Sequence, residues 1–119
     1  MRRKGYRDLL VWQQSLDLAE KVYLLTREFP KTEEYVLGSQ MRRAAVSVPS
    51  NIAEGSGRGT NKDQVSFLRI AVGSLRELDT QLELSRRLGF LSVDAHGSVQ
   101  GRIDSIETLL YRLISALEK

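Results

Sequence analysis

Residues Thr60–Gly89 read TNKDQVSFLRIAVGSLRELDTQLELSRRLG, and this stretch decides the fold class. Val65, Leu68, Val72 and Leu75 recur at steps of three and four, which places them on one face of an α-helix. Ala71, Leu75, Leu78 and Leu82 make a second stripe beside the first. Thr60 has Asp63 three residues on, and Asn61 has Gln64. Either pair suits a capping box, so the helix opens at Thr60 or Asn61. It runs to Leu88, about 27 residues or about 40 Å, with Gly89 as its natural C′ residue. A helix this long sets the long axis of a helical bundle.

Just upstream, Gly55-Ser56-Gly57-Arg58-Gly59-Thr60-Asn61 is the one clear loop. Before it, Leu37, Met41, Ala44, Ala45, Val48 and Ile52 form the apolar stripe of another helix. That helix is predicted to start near Thr32 as N-cap, with Glu33 and Glu34 in a first turn whose dipole favours negative charge. Pro49 falls inside it, so a kink near residues 45–49 is predicted, without a break. Ala44, Ala45, Ser47, Ser50, Ala53 and Gly55 are small enough for a neighbouring helix to approach closely.

A first helix is predicted from Tyr6 to Phe29, ended by Pro30. Leu9, Trp12, Leu16, Ala19 and Tyr23 form one stripe, and Val11, Leu18, Val22, Leu25 and Phe29 another. The two lie roughly 130° apart around the axis, so this helix needs two partners. One is the core; the other is a further core surface or a second subunit. The last helix, capped by Ser92 or Asp94, carries Val99, Ile103, Ile106, Leu110, Leu113 and Leu117 at bundle spacing and runs to the end of the sequence. Four long helices with short connections predict an all-α, antiparallel up-down-up-down four-helix bundle. Residues 1–119 read as one domain, with a basic arm over about residues 1–7.

Composition narrows the function. The 119 residues contain no cysteine and one histidine, His96. Thiolate zinc sites, disulfides and thiol nucleophiles are therefore excluded, and the cytoplasm becomes the default compartment. No Glu-x-x-His occurs, which argues against a bundle di-metal centre, and nothing orients His96 as a catalytic base. Neither a metal nor a cofactor is expected, and an enzyme is disfavoured. No apolar run is long enough for a membrane span. The glycine-rich loop follows a helix, lacks GxxxxGK[ST], and reads as a plain helix–helix turn.

The net charge is +3, and 13 of the 18 basic residues are arginine, the side chain that grips phosphate as a bidentate fork. The candidate nucleic-acid contacts are Arg2, Arg3, Lys4 and Arg7 in the arm, Arg42 and Arg43, Arg58 and Lys62 around the loop, and Arg86 and Arg87. Adjacent arginines diverge by about 100° on a helix, so one of Arg42 and Arg43 is expected to pair with a carboxylate. Phe67, Phe90 and the four tyrosines sit at core-like positions, so no stacking platform is expected. Asn51 and Glu54, three apart beside the small residues, suggest a hydrogen-bond network that fixes helix or subunit register.

The string Gln40-Met41-Arg42-Arg43-Ala44-Ala45-Val46-Ser47-Val48-Pro49-Ser50-Asn51-Ile52-Ala53-Glu54-Gly55 resembles the signature of the four-helix-bundle family named for the intervening sequences of bacterial 23S ribosomal RNA. Tyr6-Arg7-Asp8-Leu9-Leu10-Val11-Trp12-Gln13 is similar to the family's opening. Phe67-Leu68-x-Ile70-Ala71-x-Gly73-Ser74-Leu75-x-Glu77 is similar to its third-helix motif, and Leu88-Gly89-Phe90-Leu91-Ser92 to its third loop. The resemblance implies a homopentamer and a relation to accessory proteins of diversity-generating retroelements, which act with a reverse transcriptase and nucleic acid. Trp12, Pro49, Asn51, Glu54 and Gly55 are then structural or interface positions. The function expected is a non-enzymatic, homo-oligomeric protein that binds RNA or DNA through phosphate contacts. The alternative is a scaffold for a protein partner such as a reverse transcriptase or ribosome-associated factor.

Overall fold

The computed structural model describes residues 5–119. Its four α-helices are α1 (Leu10–Thr26), α2 (Ser39–Ser56), α3 (Asn61–Arg87) and α4 (Val93–Leu117). Contacts between consecutive helices run in opposite senses along the chain. Ser85 of α3 donates to the Met41 sulfur of α2, while Ser74 meets Ser47 further along. Asp79 accepts from Gln100, and Asn61 donates to the Leu117 carbonyl. Arg42 of α2 donates to Thr26 of α1. The result is the antiparallel bundle predicted, 46 Å long and 24 × 22 Å across.

The predicted stripes of α2 and α3 are all buried. On α4, Val99, Ile103, Ile106 and Leu110 are buried as well, but Ile114 takes the next core position while Leu113 and Leu117 are partly buried. Burying a leucine or isoleucine side chain of this kind stabilises the fold by about 1.5–3 kcal/mol. On α1, Val11, Leu18 and Val22 face the core and Phe29 follows in the next turn. Of the other stripe, Ala19 is buried, Leu9 and Trp12 are half-buried, and Leu16 and Tyr23 are exposed.

Helix boundaries depart from prediction where tertiary contacts outweigh local ones. Tyr6–Asp8 forms a 3-10 turn ahead of α1. α1 stops at Thr26, and the chain tightens through i→i−3 bonds from Glu28 to Leu25 and from Phe29 to Thr26, so Pro30 follows a turn that has already left the α-helix. Thr32 caps nothing. Lys31–Glu33 is a 3-10 turn, and Glu34–Gly38 is a π-helical turn leading into α2. Arg42 explains the wide turn: Nη2 takes the Glu34 carbonyl at 2.9 Å, and Nη1 the Thr26 hydroxyl at 3.0 Å. α2 continues through Pro49 without a break. The α4 helix closes at Leu117, two residues before the end of the sequence.

The later caps follow prediction. The Thr60 hydroxyl accepts from the Asp63 amide at 3.2 Å, and the Ser92 hydroxyl from the Ala95 amide at 3.1 Å. Gly89 has φ +77°, and the Phe90 and Gly89 amides donate to the Ser85 and Arg86 carbonyls at 3.0 Å each. This is a Schellman closure.

Candidate nucleic-acid interface

The bundle brings the candidate cations to opposite ends. At the proximal end, the chain enters at Gly5, α2 turns into α3, and α4 finishes. Tyr6 and Trp12 line a groove with Pro49, Ser50 and Ala53 of α2, and Leu10 and Gln14 line one with Leu109 and Arg112 of α4. Asn61 ties the start of α3 to the Leu117 carbonyl at 3.3 Å. At the distal end, the α1–α2 and α3–α4 connections meet, with the Phe29 and Phe90 rings 5.5 Å apart.

Arg2, Arg3 and Lys4 lie outside the described residues. Of the proximal candidates, Arg7 sits over two rings, 5.8 Å from the Tyr6 centroid and 5.6 Å from that of Trp12. Those rings meet edge to face at 5.2 Å. Arg58 lies 4.8 Å over the Phe67 ring and is salt-bridged to Glu54. Lys62 is exposed and has no carboxylate partner among the described residues. At the distal end, Arg42 is spent on Thr26 and the Glu34 carbonyl and lies 5.8 Å over Tyr23. Among the described residues, neither Arg42 nor Arg43 pairs with a carboxylate. Arg43 points instead into a groove of about 440 Å³ with Gln40, Ser47, Ser74 and Glu77. Arg86 grips Glu83 bidentately at 3.0 and 2.6 Å, and Arg87 joins at 3.0 Å. Those hydrogen bonds, from Arg86 first and Arg87 next, lower the Glu83 pKa to about 2. His96 Nε2 is buried 3.5 Å from the same carboxylate, outside hydrogen-bonding geometry. Arg42, Arg43, Arg86 and Arg87 thus do not share a patch with Arg7, Arg58 and Lys62.

Three cations at the proximal end escaped the sequence reading: Arg69, Arg112 and Lys119. Arg69 bonds Glu118 at 3.1 Å, while Arg112 and Lys119 have no carboxylate partner among the described residues. Arg112 on α4 and Lys119 just beyond it are single basic residues, and only the pairing of α3 with α4 brings them to the same end as Lys62, which lines a groove with Leu117 and Glu118. The aromatic reading also needs correction: Tyr23, Tyr35 and Tyr111 are exposed. A single tyrosine on a helix lies close enough to the apolar stripe to pass for core, and a few tens of degrees of helix rotation decide the matter.

The structural positions resolve separately. Trp12 is half-buried and Pro49 is buried against α1. Asn51 donates to the Ser47 carbonyl at 2.8 Å and to its hydroxyl at 3.0 Å, and that hydroxyl lies 2.7 Å from Ser74. This small network sets α2 against α3, but Glu54 takes no part in it and pairs with Arg58 instead. Gly55 lets the two helices touch, since a Cβ there would lie 2.7 Å from that of Phe67. Among the described residues, no group of three or more acidic or histidine side chains could hold a metal ion, and no helix is long and apolar enough to cross a membrane.

The model of the family described as 23S rRNA-intervening sequence protein matches residues 7–112. The chain belongs to this family. A crystal structure of a family member is similar throughout: a protein with unknown function from the S23 ribosomal protein family of Bacteroides thetaiotaomicron VPI-5482. It is 25% identical, with a TM-score of 0.82, over 88% of this chain and 98% of that one. The chain matches no curated protein. The 23S rRNA-intervening sequence protein match takes in α1 to α3 and most of α4 with Arg112, and leaves Lys119 outside.

Proposed function

We propose that this chain is a non-enzymatic, self-associating cytoplasmic accessory protein that holds RNA or DNA by its phosphates at the proximal end. The observation that supports this reading is the sign of the charge left over once ion pairs are counted. At the proximal end, Lys62, Arg112 and Lys119 remain unpaired among the described residues, with Asp63 to set against them. Gly5, where the arm carrying Arg2, Arg3 and Lys4 joins, is at this end too. At the distal end Lys21, Arg27, Lys31, Arg42 and Arg43 have no carboxylate partner among the described residues and Arg86 and Arg87 share Glu83, but Glu20, Glu28, Glu33, Glu34, Glu77 and Asp94 offset them. Only the proximal end offers a phosphate chain a net attractive surface. Phosphate contacts position a nucleic acid with little base preference, so binding should weaken steeply with salt.

Self-association is supported by the α1–α2 groove, where Trp12 and Leu16 line an apolar recess with Val46, Pro49 and Ala53. In a pentamer, the assembly implied by the family resemblance, the +3 of one chain becomes about +15. The second reading, a scaffold for a partner such as a reverse transcriptase or ribosome-associated factor, draws support from the distal end. Tyr35 is 87% and Val93 78% exposed there, with Val36 and Leu88 also open. Apolar surface of this extent commonly marks a protein contact.

The test is light scattering and fluorescence anisotropy with a structured RNA at two salt concentrations. The expected result is an assembly that gains mass with RNA at low salt, and whose affinity falls about 100-fold in the triple variant Lys62→Glu/Arg112→Glu/Lys119→Glu. A protein that ignores RNA and DNA at every salt concentration would overturn the phosphate reading in favour of the scaffold.

A further inference from the structure

The last three turns of α4 add an aromatic surface to the cations of the proximal end. Thr108, Tyr111, Arg112, Ser115, Ala116 and Lys119 line one shallow groove of about 510 Å³. The spacing of three and four puts the first five along a single outward face of the helix, with Lys119 just past its end. No acidic side chain lines the groove. Tyr111 is 39% exposed, and its hydroxyl accepts a 3.1 Å hydrogen bond from Arg76 Nη2. The same Arg76 nitrogen donates to Glu107 at 3.2 Å. The ring is thus held from α3, so little freedom is lost when something stacks on it. Glu107 and Glu118, the nearest acids in sequence, are engaged by Arg76 and Arg69. Arg112 follows the ring in sequence and lines the groove with it, and Lys119, two residues beyond the end of α4, closes the far side. Ser115 and Ala116 between them are too small to screen the ring.

We infer that this face takes single-stranded nucleic acid, with an unstacked base on the Tyr111 ring and the flanking phosphates on Arg112 and Lys119. The inference rests on the phosphate reading given above and narrows it to a strand form. A duplex keeps its bases stacked on one another and offers such a face phosphates alone; a single strand offers phosphates and free base faces together. A ring flanked by unpaired cations is the arrangement that single-strand binders use, and it tolerates any base.

Anisotropy with labelled oligouridine and with a duplex RNA of equal length tests this, using the full chain. Tyr111→Leu should lower affinity for the single strand about tenfold and leave duplex affinity within about twofold. Tyr111→Phe, which keeps the ring but loses the Arg76 bond, should retain most of the single-strand affinity, within about threefold, and the melting temperature of each variant reports whether the bundle is intact. If Tyr111→Leu leaves single-strand binding unchanged, or weakens both strand forms alike, stacking on Tyr111 is refuted. The Lys62→Glu/Arg112→Glu/Lys119→Glu variant keeps the two readings apart. Stacking alone fails if that variant weakens binding and Tyr111→Leu does not, whereas both readings fail if the unmodified chain binds neither RNA at low salt.

Discussion

The two ends of the bundle solve the same problem, closing an antiparallel helix pair, by different means. At the proximal end the connection is capped by Thr60 on the Asp63 amide, and a close contact is added: Gly55 has no Cβ, so Phe67 packs against its backbone, and Asn51, Ser47 and Ser74 carry the fit along the pair. At the distal end α3 and α4 are joined by caps, with Gly89 at positive φ and Ser92 on the Ala95 amide. The side chains left over also differ. Proximal closure leaves unpaired cations facing outward, while distal closure leaves Tyr35, Val36, Leu88 and Val93 exposed among charges of both signs. The proximal pair thus has a backbone contact that the distal pair lacks, since a Cβ on Gly89 would meet nothing within 4 Å.

The comparison can be broken at several points. The largest effect expected is on binding: where the proximal triple charge reversal costs about 100-fold in RNA affinity, the distal reversal Arg27→Glu/Lys31→Glu/Arg43→Glu should cost about threefold or less. Equal losses in the anisotropy titration would mean that the two ends do not differ as phosphate surfaces. Next comes stability. Gly55→Ala must push Phe67 or the helix backbone aside and should destabilise by about 1–3 kcal/mol. Gly89→Ala keeps its space but must hold a left-handed conformation, which costs about 1–2 kcal/mol. Urea midpoints for the two variants measure this, and a larger loss at Gly89 would reverse the distinction between contact and cap.

The smallest effect concerns acid. In the folded chain Glu83 titrates near 2, below its ordinary value of 4.5. A depressed carboxylate stabilises the fold fully above its unfolded pKa, and that contribution is lost as pH falls through the folded one. Glu83→Gln should therefore flatten the melting-temperature profile between pH 4.5 and 2 while slightly lowering stability at neutral pH. A profile that keeps its wild-type slope in that window would show that the Arg86–Glu83–Arg87 cluster contributes nothing there. The pair is too exposed for its shift to translate into a sizeable energy.

What was legible in the sequence divides along the same line. The α3 and α4 boundaries could be read because Thr60, Ser92 and Gly89 carry their capping chemistry locally. The start of α2 could not, since the turn at Glu34–Gly38 is set by an arginine that reaches back sixteen residues to Thr26. The small residues around Gly55 announced close packing, and the contact with Phe67 meets that expectation. The candidate site was legible only in part. Runs such as Arg42-Arg43 and Arg86-Arg87 draw the eye in a sequence, yet Arg42 clamps a turn and Arg86 and Arg87 neutralise Glu83. The isolated Arg112 and Lys119 gain significance only when α4 lies beside the start of α3. Adjacency along the chain says little about which charges end up without partners.

The bond from Asn61 to the Leu117 carbonyl and the groove shared by Leu10 and Arg112 bring the start of α1 and the end of α4 to one pole of the molecule. A domain fused ahead of α1 or behind α4 would therefore leave beside the cations and would compete for room with the nucleic acid proposed above. A circular permutant joined across that pole and opened at Gly89 would move the attachment points to the apolar pole. Immobilised in the two formats, the same four helices would present opposite faces to solution.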